Sequence, residues 1–165
     1  MRRLGVDIGG VLIQPADHDA DTSFFGDHYL RTPAVPDAID CLAALADPDG
    51  GAFAGAVYLV SKCGPDTERR TRHWLAHHDF FGRTAIPPAH LHFCRTRAAK
   101  APIAQRLGLT HFVDDRLEVL GYLTTVPHRL LFHPREAEVA ANHHHLRSVH
   151  RVETWREATA ALTAR

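Results

Sequence analysis

The chain has 165 residues, 19 basic and 19 acidic side chains and an apolar fraction of 45%, which is the composition of one ordinary globular domain. The zero net charge argues against a protein that holds polyanions through its overall field. No apolar run approaches the ~20 residues needed to cross a bilayer, and Asp7 interrupts the short apolar stretch at the N-terminus. We therefore predict neither a membrane span nor a signal peptide.

The cysteines indicate a reducing compartment. Cys41, Cys63 and Cys94 form an odd, widely spaced set without a C-x-x-C pair, so neither a disulfide framework nor a zinc site is predicted. We expect free thiols in a cytoplasmic protein.

Strands and helices alternate along the sequence. Short apolar segments predict strands at 3–8, 55–60, 91–93, 111–113 and 129–132, and helical patterns predict helices opening at Pro36 and over 65–77, 98–107, 117–123 and 154–163. This order predicts βαβ units, hence a three-layer α/β sandwich with a mainly parallel, Rossmann-like sheet. We expect a single domain over 1–165, with a small flap at about 14–32.

Polar side chains follow the predicted strands. Asp7 lies near the end of the first strand, Ser61 follows the second, and the pair Asp114 and Asp115 follows the strand at 111–113, while Lys100 lies at the start of a helix. In parallel sheets, ligands bind beyond the carboxyl ends of the strands. Carboxylates there suit Mg²⁺, and a hydroxyl and an ammonium suit a phosphoryl group.

These polar residues lie in four segments, which in chain order are Leu4-Gly5-Val6-Asp7-Ile8-Gly9-Gly10-Val11-Leu12, Val57-Tyr58-Leu59-Val60-Ser61, Lys100 and Phe112-Val113-Asp114-Asp115. In the order of these segments the sequence resembles the haloacid dehalogenase (HAD) superfamily. Each segment alone is common, but the four in order cover nearly the whole chain. The resemblance implies a HAD-like fold.

The resemblance also implies roles for individual residues. Asp7 would be the nucleophile and a metal ligand, together with the backbone carbonyl of Gly9, with Asp114 as the main carboxylate ligand and Asp115 acting directly or through water. Ser61 and Lys100 would hold the phosphoryl oxygens. The implied cofactor is Mg²⁺.

Lys62 follows Ser61 and could also bind a phosphate, although a solvent-facing position explains it equally well. Cys63, beside it, has no partner histidine in the sequence, so a nucleophilic thiol is disfavoured.

Gly9 is the main departure from the family pattern. Family phosphatases usually carry a second aspartate there, which protonates the leaving group and then activates water. Three interpretations follow: a phosphatase that needs little acid catalysis or recruits Asp17, His18 or Asp19; a carbon–halogen or phosphonate hydrolase; or a protein that binds phosphorylated ligands without turnover. The paired carboxylates argue against haloacid cleavage, which needs no metal, and no lysine follows the first strand to support phosphonate cleavage.

The leading prediction is therefore a Mg²⁺-dependent phosphohydrolase acting through an aspartyl-phosphate on Asp7, and the alternative is a catalytically impaired protein that binds a phosphorylated ligand or partner. The segments on either side of Ser61 are too short for a full cap domain. An open site would accept a phosphorylated small molecule or macromolecule. Phe24, Phe25 and Tyr29 in the flap could contact substrate or pack on the domain.

Basic and histidine-rich segments give weaker signals. Arg69, Arg70 and Arg72 near Trp74 resemble a nucleic-acid patch, but neighbouring carboxylates and the zero net charge make that partner unlikely. The run His143–His145 is expected on the surface, because consecutive helical residues point in different directions. His133 follows the strand at 129–132 and is expected at the rim of the site.

Overall fold

The computed structural model describes residues 1–15 and 27–164 and contains a six-stranded parallel sheet. The strand order is β3-β2-β1-β4-β5-β6. The strands are β1 Leu4–Val6, β2 Val57–Lys62, β3 Leu91–Cys94, β4 His111–Asp114, β5 His128–Phe132 and β6 His150–Val152. The helices are α1 Ala38–Ala46, α2 Pro65–His77, α3 Phe80–Thr84, α4 Lys100–Leu107, α5 Leu117–Tyr122, α6 Glu136–Ala141 and α7 Trp155–Thr163.

Helices cover both faces of the sheet. Because successive strand residues point to opposite faces, Leu130 and Phe132 pack with α1, α2, α3 and α7, whereas Leu131 packs with α4, α5 and α6. The central strands β1 and β4 are buried on both faces, as their continuous apolar runs predict, whereas β3 and β6 at the two sides of the sheet are more exposed. The predicted three-layer α/β architecture with a parallel sheet is confirmed.

Two tryptophans fix the segment that follows β1. The buried Trp155 indole donates a hydrogen bond to the Val11 carbonyl (2.7 Å), and the Trp74 indole donates to the Thr32 carbonyl (2.8 Å). Val11, Leu12 and Ile13 are themselves buried. The turn that leaves the carboxyl end of β1 is therefore anchored in the core, which holds the adjacent Asp7 in place.

The structure also corrects several predicted boundaries. Ser61 lies inside β2, not beyond it, since the strand runs to Lys62. The helix predicted over 98–107 is α4, and it begins at Lys100. Sequence reasoning missed β6, α3 and α6, three elements of three to six residues whose periodicity is too short to recognise.

Within the part of the chain that the structure describes, none of the helices combines the length and the apolar character that a membrane crossing requires. The prediction of one domain over 1–165 stays a prediction.

His111 is a buried histidine at the amino end of β4. Its ring stacks on His128 with centroids 4.4 Å apart, and its Nε2 lies 3.3 Å from an Arg2 nitrogen. Burial, reinforced by the nearby His128 and Arg2 charges, lowers the pKa of His111 to about 4. The folded state therefore requires a neutral ring at this position.

This shift predicts acid sensitivity. The stability that His111 contributes is fully present above the ordinary histidine pKa of about 6.5 and is lost as the pH falls towards 4, amounting to about 3 kcal/mol. In urea unfolding, His111→Gln should lose about 2–3 kcal/mol less stability than the unmodified protein between pH 7 and pH 4.5. The exposed His150→Gln is the matched control. Equal losses in His111→Gln and the unmodified protein would contradict the assignment.

Candidate active site

Sheet order brings the predicted polar residues together at one edge. β1 lies between β2 and β4, and Val6 pairs with Leu59 on one side and Val113 on the other. Asp7 therefore emerges level with Asp114, and Ser61 lies one residue further along the neighbouring strand. Strand adjacency that the sequence could only suggest thus brings these three residues to the same edge of the sheet.

Lys100 joins the two aspartates. Its Nζ donates hydrogen bonds of 2.8 Å to Asp7 Oδ1 and of 2.8 Å to Asp114 Oδ2. The Lys100 and Asp114 side chains are 3% and 0% exposed, so the ion pairs are shielded from solvent. Burial lowers the pKa of the ammonium, but the Asp114 and Asp7 carboxylates outweigh that effect and hold the pKa well above its ordinary value. Lys100 is therefore permanently charged.

Asp115 completes a cluster of three carboxylates. One ligand oxygen from each of Asp7, Asp114 and Asp115 lies within 4.8 Å of the others. Gly10 makes room for the third carboxylate, because a Cβ at this position would lie 2.4 Å from Asp115 Oδ2 and its φ is +78°. Among the described residues this is the group whose spacing suits a metal ion.

The cluster holds more negative than positive charge. Burial, followed by the charge of Asp7, raises the pKa of Asp114 to about 6 despite the opposing ammonium of Lys100. The same causes raise the pKa of Asp115 well above its usual range. One lysine does not balance three neighbouring carboxylates, so the oxygen-rich site fits a hard divalent cation such as Mg²⁺.

A cleft of about 980 Å³ opens above this edge of the sheet. Its walls contain Asp7, Gly9, Ser61, Lys62, Lys100, Asp114 and Asp115, which are all the residues that the sequence assigned to the site. Ser61 is buried and Lys62 exposed. The structure therefore brings the candidates into one concave site; their catalytic roles stay a prediction.

Comparison with known proteins gives a structural match only. No protein-family model and no curated protein matches the chain. A solved structure of a HAD family hydrolase from Deinococcus radiodurans R1, with bound phosphate and sodium, superposes with a TM-score of 0.56 and 13% identity, covering 99% of this chain and 98% of that chain. This chain has a HAD-like fold. At such low identity the match shows the fold alone.

The cleft of this HAD-like fold also contains residues that sequence reasoning missed or placed only at the rim. Arg97 and Arg116 contribute cationic side chains, and His133 and Arg135 come from the segment after β5. Arg116 directly follows Asp115 and Arg97 precedes Lys100 by three residues, so proximity to the motifs was a usable signal. His133 is at the rim, as expected.

Other candidates fall elsewhere. The Tyr29 hydroxyl lies 2.9 Å from His73 Nδ1 on α2, so this aromatic packs on the domain. Burial raises the pKa of the Cys63 thiol, which argues against a reactive thiolate. Five further candidates lie outside the described residues: Asp17, His18, Asp19, Phe24 and Phe25.

The excess of negative charge predicts that removing one carboxylate stabilises the cation-free protein and weakens cation binding. Because the pKa of Asp115 is raised in the folded state, its ionisation above pH 4 destabilises the cation-free protein, and this penalty persists at pH 7. Asp115→Asn should therefore raise the unfolding midpoint in EDTA. It should also lose most of the stabilisation by Mg²⁺, which for the unmodified protein is about 2.7 kcal/mol at 100 times the Kd.

Thermal unfolding in EDTA and in MgCl₂ measures both effects, with the exposed Asp49→Asn as the matched control. An Asp115→Asn protein that is less stable in EDTA yet still stabilised by Mg²⁺ would show that the carboxylate is structural.

Proposed function

We propose that this protein is a Mg²⁺-dependent phosphohydrolase that acts through an aspartyl-phosphate on Asp7. The observation that carries the proposal is the buried Asp7–Lys100–Asp114 arrangement beneath an open cleft, with both ion pairs at 2.8 Å. A lysine that is held by two aspartates at strand ends is costly to bury, and such perturbed groups concentrate at functional sites.

Asp7 is suited to the role of nucleophile. Its side chain is 11% exposed, so an oxygen is accessible from the cleft, and Lys100 restricts the carboxylate to one orientation. An attack of this carboxylate on a phosphoryl group brings two anions together, and preorganised cations are needed to offset their repulsion. Lys100 supplies one such charge without any rearrangement.

The cation site would be formed by Asp7, Asp114 and Asp115 together with the backbone carbonyl of Gly9. Bound Mg²⁺ would neutralise negative charge on the transferred phosphoryl group. Asp114 is fixed for this role by a second contact, since its Oδ1 accepts a hydrogen bond of 2.9 Å from the Arg116 backbone N–H.

Ser61 and Lys62 would bind the phosphoryl oxygens from the β2 side of the cleft. Ser61 is held inside the strand, so its hydroxyl is offered from a rigid element, whereas Lys62 is exposed and contributes a mobile charge. We propose a phosphorylated small molecule or macromolecule as the substrate and a cytoplasmic location; the arginines of the cleft add attraction for an anionic ligand.

Gly9 favours a second candidate function, binding of a phosphorylated ligand or partner without turnover. A Cβ at Gly9 would meet nothing within 4 Å, so neither space nor a positive φ requires glycine there. The usual acid is therefore absent from a position where it would fit.

The proposed function predicts a covalent analogue on Asp7. With Mg²⁺ and beryllium fluoride, fluorine NMR should show a trifluoroberyllate adduct that Asp7→Asn abolishes, and aryl-phosphate turnover should depend on Asp7. Ser61→Ala should lower kcat by about 10²–10³-fold, because one donor to the developing charge is removed.

Arg106→Gln, on the exposed side of α4, is the matched control and should leave both signals unchanged. An adduct without turnover of any aryl phosphate would favour the binding function. If the protein forms no adduct and is not stabilised by Mg²⁺, both functions are overturned.

A further inference from the structure

Any hydrolysis in this site needs a proton donor other than residue 9. A phosphate ester with an unactivated leaving group requires that the departing oxygen be protonated, and general acid–base catalysis typically contributes 10²–10⁴-fold. Gly9 has no side chain, and the open space around it lies on the wall of the cleft. Within residues 1–15 and 27–164, which the structure describes, a donor must therefore come from another wall of the cleft.

His133 lines the same cleft, at the turn after β5. Its side chain is 71% exposed, and among the described residues its Nε2 has no hydrogen-bond partner. Nδ1 lies 2.9 Å from Glu153 Oε2. The carboxylate thus accepts a hydrogen bond from Nδ1–H, which leaves Nε2 as the nitrogen that exchanges protons with the cleft.

Glu153 is itself held from several sides. Its Oε1 accepts a 2.8 Å hydrogen bond from Arg151 Nε, and its backbone N–H donates to Glu157 Oε2 at 2.7 Å. The hydrogen bond from Arg151 lowers the pKa of Glu153, so this carboxylate is ionised. A fixed carboxylate behind an imidazole is the arrangement that orients histidine bases in hydrolases.

The backbone of His133 is strained. Its φ is +37°, a left-handed conformation that costs a non-glycine residue free energy, although its N–H still donates a 2.8 Å hydrogen bond to the Val152 carbonyl. A glycine would adopt this turn without strain.

Strand register gives the height of His133 above the nucleophile. Asp114 pairs with Leu131, and Asp7 is level with Asp114, so His133 lies two residues, or about 7 Å, further along the strand direction and two strands, or about 10 Å, to the side of Asp7. In phosphoryl transfer the leaving oxygen departs in line with and opposite to the attacking oxygen. An attack by Asp7 from the sheet edge therefore sends the leaving group upward into the cleft that His133 lines.

We infer that His133 is the general acid–base of this site, with Glu153 as its positioning residue. The inference rests on the proposed phosphohydrolase function. An Asp7 oxygen forms a bond to phosphorus, the bond from phosphorus to the ester oxygen breaks, and that oxygen takes its electron pair and a proton from Nε2 of His133. Neutral His133 then removes a proton from water as the water oxygen bonds to phosphorus, which releases inorganic phosphate and restores the Asp7 carboxylate.

Several charged groups surround this histidine. Glu153 and Arg151 face it from β6 and the turn that follows, Arg135 and Glu138 line the same cleft from the start of α6, and Arg116 lines the cleft after β4. The ion pair of Arg116 with Glu138, at 3.8 Å, partly neutralises that wall. Glu153 is the carboxylate in direct contact with the ring.

The test compares leaving groups. His133→Asn keeps a residue that tolerates the left-handed backbone but does not titrate. Its kcat/KM should fall by about 10²–10⁴-fold for phenyl phosphate and by much less for 2,4-dinitrophenyl phosphate, whose leaving group needs no proton. With the dinitrophenyl ester a burst should appear, because hydrolysis of the aspartyl-phosphate lacks its base.

Two further variants distinguish catalysis from structure. Glu153→Gln should lower kcat/KM for phenyl phosphate far more than for 2,4-dinitrophenyl phosphate, because the imidazole loses the carboxylate that orients it. Adding Gly9→Asp to His133→Asn should restore turnover of phenyl phosphate. His150→Gln, an exposed histidine at the opposite end of β6, should match the unmodified protein.

Equal losses on both esters, or unchanged kinetics in a His133→Asn protein with normal Mg²⁺-bound stability, would overturn the role of His133 alone. An unmodified protein without Asp7-dependent turnover would overturn the proposed function, and this inference with it.

Discussion

The site depends on one buried cation, the ammonium of Lys100 between Asp7 and Asp114. The Lys100 and Asp114 side chains are inaccessible to solvent, and a partner lost from such a buried pair leaves an uncompensated charge at a cost of about 3–5 kcal/mol. This constraint requires β1 and β4 to be neighbours and α4 to begin at the sheet edge. The central sheet order and the position of the cleft are consistent with that single requirement.

Two adjacent glycines after Asp7 have different physical explanations. Gly10 is needed because its positive φ and missing Cβ admit the carboxylate of Asp115. Gly9 has free space around it and no such constraint. One glycine therefore makes room for the acidic cluster, whereas the other leaves residue 9 without a side chain at a position where one would fit.

The two edges of the sheet respond oppositely to pH. Acidification protonates the buried His111 at the amino edge and destabilises the fold, while the same change neutralises the crowded carboxylates at the carboxyl edge and relieves their repulsion. At neutral pH and without a cation, repulsion among the carboxylates at the carboxyl edge therefore lowers the stability of the fold. Such destabilising groups are typical of sites arranged for binding and catalysis.

The sequence by itself determined the parallel α/β architecture and the polar residues at the carboxyl ends of β1, β2 and β4, because continuous apolar strands and polar residues at strand ends are local patterns. It did not determine that His133 and Glu153 meet, since they lie on different strands and only the pairing of β5 with β6 brings them within 2.9 Å. The short elements β6 and α6 also escaped sequence reasoning, since their burial comes from neighbours distant in the chain. Polar residues at the end of a single strand could be predicted from the sequence, whereas a contact between the ends of two strands depends on strand pairing, which only the tertiary structure shows.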